Sequence, residues 1–375
     1  MKAKRILYII LLVIVMANVA VWVSGTTYIY KALLYQQPNI DDINLFEKRE
    51  IRNTNGPQPW NESSKYNKIK LSDTLQKCLV QNESVAFLVI KKDSVVYEEY
   101  WDDYSSSSQS NSFSVAKSIV SILIGIAIDE GKIKSENDYV ADYLPEFKKE
   151  GLDKIKIVDV LRMASGLNFQ ESYSTPFNHT TDAYYGTDLR KLIFSLSLEE
   201  EPGTTFYYRS GDTQLLSFIL SAATGKTVSD YASEKLWSKI GAEHPAFWSL
   251  DHANGDEKAY CCFYSNARDF ARIGKLYLQN GQWNDTQVVS SNWVQKSTHP
   301  HGLPERNGQK SDQYGYQWWL YEDVFYCRGI LGQYIIVDPK NELIIVRLGK
   351  KRAKEKENNH PTDFLTYVHE CKNLF

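Results

Sequence analysis

Runs with strand character stand near both ends of this chain, and helical spacing fills the long stretch between them. Residues 86–90 (AFLVI) and 95–101 are rich in β-branched and aromatic side chains, with Lys92-Asp93-Ser94 between them, which predicts a hairpin. Residues 324–328, 334–337 and 343–348 predict three more strands, the last two joined through Asp338-Pro339-Lys340-Asn341. Helical periodicity with Gly or Asn stops covers 114–129, 159–164, 215–223, 228–240, 267–279 and 291–297, and Pro361 opens a final helix. A chain in this order makes one sheet from distant segments, so the expected fold is α+β: an antiparallel sheet from both chain ends, packed with helices, plus an inserted helical lobe.

Ahead of that fold, residues 6–23 are apolar apart from Tyr8 and Asn18, and Lys2, Lys4 and Arg5 precede them. The segment is long enough for a membrane anchor and retains the features of an export signal. Either way, the basic side stays in the cytoplasm and the rest of the chain is exported, membrane-anchored outside the cytoplasm or released if the signal is cleaved. The chain thus divides into an anchor or signal over 1–25, a polar, proline-punctuated tether over 26–70 and a folded domain over 71–375. A net charge of −3 argues against nucleic acid as a partner. Five cysteines, at 78, 261, 262, 327 and 371, are too few for a disulfide framework, and their spacing fixes no pairing. The seven histidines show no metal-ligand spacing, so neither metal nor cofactor is expected.

The chemistry is concentrated in Ser114-Val115-Ala116-Lys117, which opens the apolar run 118–128. Three residues apart at a helix start, the Lys117 amine reaches the Ser114 hydroxyl. Burial and the positive helix terminus disfavour an ammonium ion, which converts such a lysine into a base near neutral pH. The first helical N–H groups face the space where an oxyanion would form. Alone, the same residues also describe a serine cap on a core helix.

Further stretches follow in a telling order: Asp159-Val160-Leu161-Arg162-Met163-Ala164-Ser165-Gly166-Leu167, then Pro202-Gly203-Thr204-Thr205-Phe206-Tyr207-Tyr208-Arg209-Ser210, then residues 267–274, then Cys327-Arg328-Gly329-Ile330. Together with Ser114 and Lys117 they resemble the motif set of the serine β-lactamase and penicillin-recognising superfamily, in its class C branch, over roughly residues 80–350. The resemblance implies a β-lactamase-like fold and a serine hydrolase. Ser114 would be the acylated nucleophile, Lys117 its base and Tyr208 the phenol relaying a proton to the leaving group, with a lowered pKa between two cations. The backbone N–H groups of Ser114 and Ile330 would hold the oxyanion, and Ser210, Arg328 and Gly329 would contact substrate.

Two departures bear on the substrate. Ser210 stands where β-lactamases carry an Asn, and Cys327 replaces the lysine that receives a β-lactam or peptide carboxylate. Arg328 supplies a charge instead if it points inward, which strand alternation leaves open. These features resemble 6-aminohexanoate-dimer hydrolases and related esterases, implying a small-molecule ester or amide substrate. A penicillin-binding peptidase or β-lactamase is the alternative enzyme, and a non-catalytic binding or sensing domain the alternative without chemistry. Tyr184 and Tyr185 are candidates for the cleft rim; residues 314–319 suit either an acyl pocket or the core.

Overall fold

The computed structural model describes residues 2–173 and 175–375. Seven strands form the main sheet: β1 (Asn61–Glu62), β2 (Ser84–Lys91), β3 (Ser94–Tyr100), β4 (Trp319–Tyr321), β5 (Val324–Gly329), β6 (Gln333–Asp338) and β7 (Leu343–Gly349). Their order is β4-β5-β6-β7-β2-β3-β1, antiparallel except for the short β1–β3 pair. The two chain ends meet where β7 pairs with β2, from Leu343 opposite Lys91 to Leu348 opposite Ala86. Both faces are covered, which is why AFLVI is continuous rather than alternating. Leu88, Ile90, Ile335, Val337, Ile344 and Val346 point into the large core shared with the helical lobe. Phe87, Val89, Ile336 and Ile345 face the opposite side, under α3 (Asp73–Gln81) and the C-terminal α7 (Thr362–Leu374).

The lobe is built around α4 (Val115–Asp129) and α5 (Ser210–Thr224), buried along most of their length, and α6 (Ala267–Leu278) joins it to the sheet. On α6, Gly274 permits close approach, since a Cβ there would stand 2.7 Å from the Ile344 side chain. One glutamine ties the lobe together: Gln317 accepts from Thr213 Oγ1 at 2.6 Å, donates to the Leu161 carbonyl at 2.9 Å and receives Ser118 Oγ on its own carbonyl at 2.6 Å.

At the N-terminus α1 (Lys2–Val23) has no buried residue and is long and apolar enough to cross a membrane. Met1 of the expected 1–25 segment lies outside the described residues. The expected tether over 26–70 is instead packed. A short helix, α2 (Tyr28–Tyr35), buries Tyr28, Ile29 and Ala32, while Ile40, Phe46, Ile51 and Trp60 enter the large core. Lys48–Ile51 pairs with Ala246–Ser249 at one edge of a second, four-stranded sheet whose far edge, Ser110–Asn111, leads to Ser114. Anchoring residues spaced this far apart give no periodic signal, which is how the segment passes for a linker. The cysteine pairing left open by spacing is a bond between Cys261 and Cys262, with Cys78, Cys327 and Cys371 free.

Because Trp60 packs into the core and donates its indole N–H to the Arg268 carbonyl at 2.9 Å, Trp60→Ala is expected to cost about 3–5 kcal/mol in urea unfolding. Deletion of residues 2–23 should leave the midpoint unmoved. A free tether would give no effect for Trp60→Ala either.

Candidate active site

The approach to Ser114 is strained. Phe113 has a left-handed backbone, φ 45°, a conformation costing on the order of 1–3 kcal/mol in a non-glycine residue. Asn111 holds it, accepting the Phe113 N–H at 3.0 Å while donating to the Tyr264 hydroxyl at 3.2 Å. Past this turn the chain enters α4 with Ser114 at the N-cap and Lys117 one turn further on.

Lys117 is buried and its Nζ has three oxygen neighbours: Ser114 Oγ at 3.1 Å, Ser210 Oγ at 3.1 Å and the Tyr260 carbonyl at 2.8 Å. The rings of Tyr208 and Tyr260 each lie 5.3 Å from the same nitrogen. Burial lowers its pKa to about 8, against the opposing pull of the Glu171 charge. Once the amine is neutral, its bond to Ser114 reverses and the lone pair accepts the serine proton, the geometry a general base requires.

Glu171 has no counterpart among the sequence motifs. Its carboxylate caps the N-terminus of α5, accepting from Ser210 N–H at 2.7 Å and Ser210 Oγ at 2.9 Å, and Tyr173 donates to it at 2.6 Å. The helix terminus favours a negative charge there. Ser210 therefore bridges Lys117 to Glu171 as well as lining the cavity.

Tyr208 packs between Trp319 and Tyr314, with ring centroids 5.5 and 6.0 Å away. The expected lowering of its phenol pKa is corrected. Burial raises it, outweighing the hydrogen bond with Ser114 and the charges of Arg328 and Arg352, so Tyr208 is a neutral hydroxyl able to donate a proton. The register question at Arg328 also has an answer. Cys327 is buried, its thiol pushed up to about 12 by desolvation, whereas the Arg328 guanidinium lies 3.6 Å from the Trp319 ring and lines a hollow with Tyr208 and Glu171.

Gly329 brings the sheet close to the Ser114 turn, for a Cβ at that position would meet the Ser112 carbonyl at 2.4 Å. The next residue, Ile330, then lines a cavity of about 220 Å³ with Ser114, Ser210, Tyr173, Tyr184 and Tyr260. Arg347 fixes the loop beyond it: this buried guanidinium donates to the carbonyls of Leu331 at 3.0 Å and Gly332 at 2.8 Å, and Gly332 and Gly349 leave room for it. The aromatic run splits its roles, with Trp318 wholly in the core and Tyr314 and Trp319 packed on Tyr208.

With serine, lysine and tyrosine converging between sheet and lobe, similarity to known proteins becomes informative. The family model described as Beta-lactamase matches residues 72–367. This chain belongs to the beta-lactamase family. It is 28% identical over 299 residues to a 6-aminohexanoate-dimer hydrolase of Paenarthrobacter ureafaciens, covering 73% of this chain and 74% of that one. Among solved structures, one named "putative 6-aminohexanoate-dimer hydrolase" from Bacillus anthracis superposes with a TM-score of 0.78 at 22% identity, over 89% of this chain and 92% of that one. A family VIII carboxylesterase gives a TM-score of 0.65 at 16% identity, over 84% and 99%. The beta-lactamase-like α+β fold is therefore shown, and relatives of this family member are hydrolases.

The structure brings the expected Ser114, Lys117 and Tyr208 together, and sets around them Glu171, Tyr260 and Arg347, each a single residue outside any recognisable spacing. In this beta-lactamase family chain Glu171 raises the Lys117 pKa; removing its charge must therefore let the ammonium lose its proton at lower pH. In a titration followed by NMR of ¹³Cε-labelled lysine, Lys117 should titrate near pH 8 and Glu171→Gln should move the midpoint down. An upward or absent shift would refute the coupling.

Proposed function

We propose that the chain is a serine hydrolase that cleaves a small ester or amide through an acyl-enzyme on Ser114, with α1 holding the exported catalytic part at the membrane. The observation that carries this reading is the buried Lys117 amine 3.1 Å from Ser114 Oγ, its pKa lowered to about 8. Neutral Lys117 takes the serine proton as Oγ attacks the carbonyl carbon, and the N–H groups of Ser114 and Ile330 receive the oxyanion. Tyr208, kept protonated by burial, donates to the departing alcohol or amine and is recharged from Lys117. Water then attacks the acyl carbon, Lys117 accepts its proton, and the carboxylic acid leaves with Ser114 restored.

The substrate preference follows from the two sides of the nucleophile. The cavity wall mixes aromatic rings, among them Phe113, Tyr184, Tyr185 and Tyr260, with serine, threonine and glutamine side chains, and the cation on the Tyr208 side is Arg328, stacked on Trp319. Nothing at Cys327 can receive a carboxylate, since it is buried and held as a thiol. This supports an ester or amide substrate over a β-lactam. Arg328 beside Tyr208 favours the peptidase alternative, and labelling by a fluorescent penicillin would report it.

Treatment with a serine-directed phosphonate is expected to add one adduct, mapped by peptide mass to Ser114 and absent from Ser114→Ala. Ser114→Ala should lose all detectable turnover of p-nitrophenyl acetate, and Tyr208→Phe should lose about 10²–10⁴-fold in kcat. A well-folded protein without an adduct would favour the non-catalytic binding domain.

A further inference from the structure

Two segments line the cavity at Ser114 and also reach the surface: α2 with the residues after it, through Ala32, Gln36 and Pro38, and the loop through Ser172, Tyr173 and Pro176. Outside α1, eight large hydrophobic side chains of the described residues remain exposed, and six of them sit on these two segments: Tyr30, Leu33, Leu34, Tyr35, Tyr173 and Phe177. Leu33 and Leu34 are 65% and 72% exposed. A soluble domain that buries its other apolar side chains this thoroughly has no reason to gather these around one cavity mouth, unless something apolar covers them.

The chain itself indicates what covers them. Only Ser24–Thr27 separate α1 from α2, and α2 folds back so that the Tyr30 hydroxyl donates to Asn18 Oδ1 at 2.7 Å. Asn18 lies five residues before the end of α1, about 7.5 Å along a helix. With α1 in a bilayer, Tyr30 then lies within about 5–10 Å of the boundary between headgroups and acyl chains, the depth at which tyrosine and the apolar face of an interfacial helix settle.

We propose that α2 together with Tyr173, Pro176 and Phe177 forms a mouth resting on the bilayer, and that the substrate is a membrane-resident amphiphile. It would be a lipid-borne ester or amide whose chain passes from the bilayer into the cavity at Ser114. This rests on the serine hydrolase reading and names its substrate class. Ser114 Oγ displaces the headgroup-side alcohol or amine, which leaves carrying the serine proton, and water releases the fatty acid.

The experiment uses the full chain in phosphatidylcholine vesicles, with two esters: p-nitrophenyl palmitate dissolved in the bilayer and p-nitrophenyl acetate in the buffer. Leu33→Glu/Leu34→Glu/Phe177→Glu alters side chains outside the cavity lining. It should lose at least about tenfold on the palmitate while staying within about twofold on the acetate, and Val80→Glu, an exposed apolar site elsewhere, should change neither. Equal loss on both esters, no loss on either, or wild-type cleavage of acetate alone would overturn the proposal and leave the serine hydrolase intact. If the triple variant splits a dimer in sedimentation and both rates fall together, the patch is a contact between copies and the proposal fails. Absence of both activities and of a phosphonate adduct in the wild type would instead overturn the hydrolase reading, and this inference with it.

Discussion

A buried ammonium held by three neutral oxygens organises this molecule. Removing a lysine from water disfavours its charge, and here Ser114, Ser210 and the Tyr260 carbonyl replace the water. These oxygens come from the start of α4, the start of α5 and the loop preceding Cys261-Cys262. The three segments must therefore be fixed relative to one another to within hydrogen-bond tolerance for Lys117 to keep all three partners. Much of the lobe's polar interior meets that requirement. Gln317 joins the Leu161 turn to α5, and Ser118, one residue after the lysine, donates to the Gln317 backbone.

Beneath α5 a second buried arrangement performs the same task. Asp212 accepts from Ser165 Oγ at 2.6 Å and faces Arg209, which is wholly buried against the Tyr207 ring and 3.6 Å from Glu200. Burial pushes the Asp212 carboxyl up to about 6 even with Arg209 beside it. Such groups add little net stability, because desolvation offsets much of the attraction. Their effect is positional: they hold Tyr208 and Ser210 on either side of Arg209, the one directed at Trp319 and the other at Lys117.

What could be read from the sequence, and what could not, divides along physical lines. The strands at both ends were legible because burial on both faces makes them continuous apolar runs, and Ser114, Lys117 and Tyr208 because they occupy recognisable spacings. Residues 26–70 were not, since Ile40, Ile51 and Trp60 are anchored singly among polar neighbours and meet distant segments, as Ile51 does Ala246 and Trp60 does Arg268. The protonation of Tyr208 was misjudged because nearby cations can be inferred from a motif but the depth of burial cannot. Glu171 left no signal at all: a lone acid in a loop acquires meaning only when the fold sets it against the first turn of α5. Arg328 was ambiguous for a reason intrinsic to strands, in which one residue of register exchanges the two faces.

The Ile330 side of the cavity shows how glycine and arginine placement sets the backbone beside Ser114. Gly329 lets β5 reach the carbonyl of Ser112, so that Ile330 follows directly beside Ser114. The chain then turns through Leu331, whose φ of 61° is unfavourable for a branched side chain, and Gly332. That turn persists because the buried Arg347 guanidinium donates to both of its carbonyls. Arg347 belongs to β7, the strand that pairs the C-terminal part of the sheet with β2. The pairing that closes the two ends of the chain into one sheet therefore also sets the loop beside Ser114, and fold and candidate site depend on the same contact.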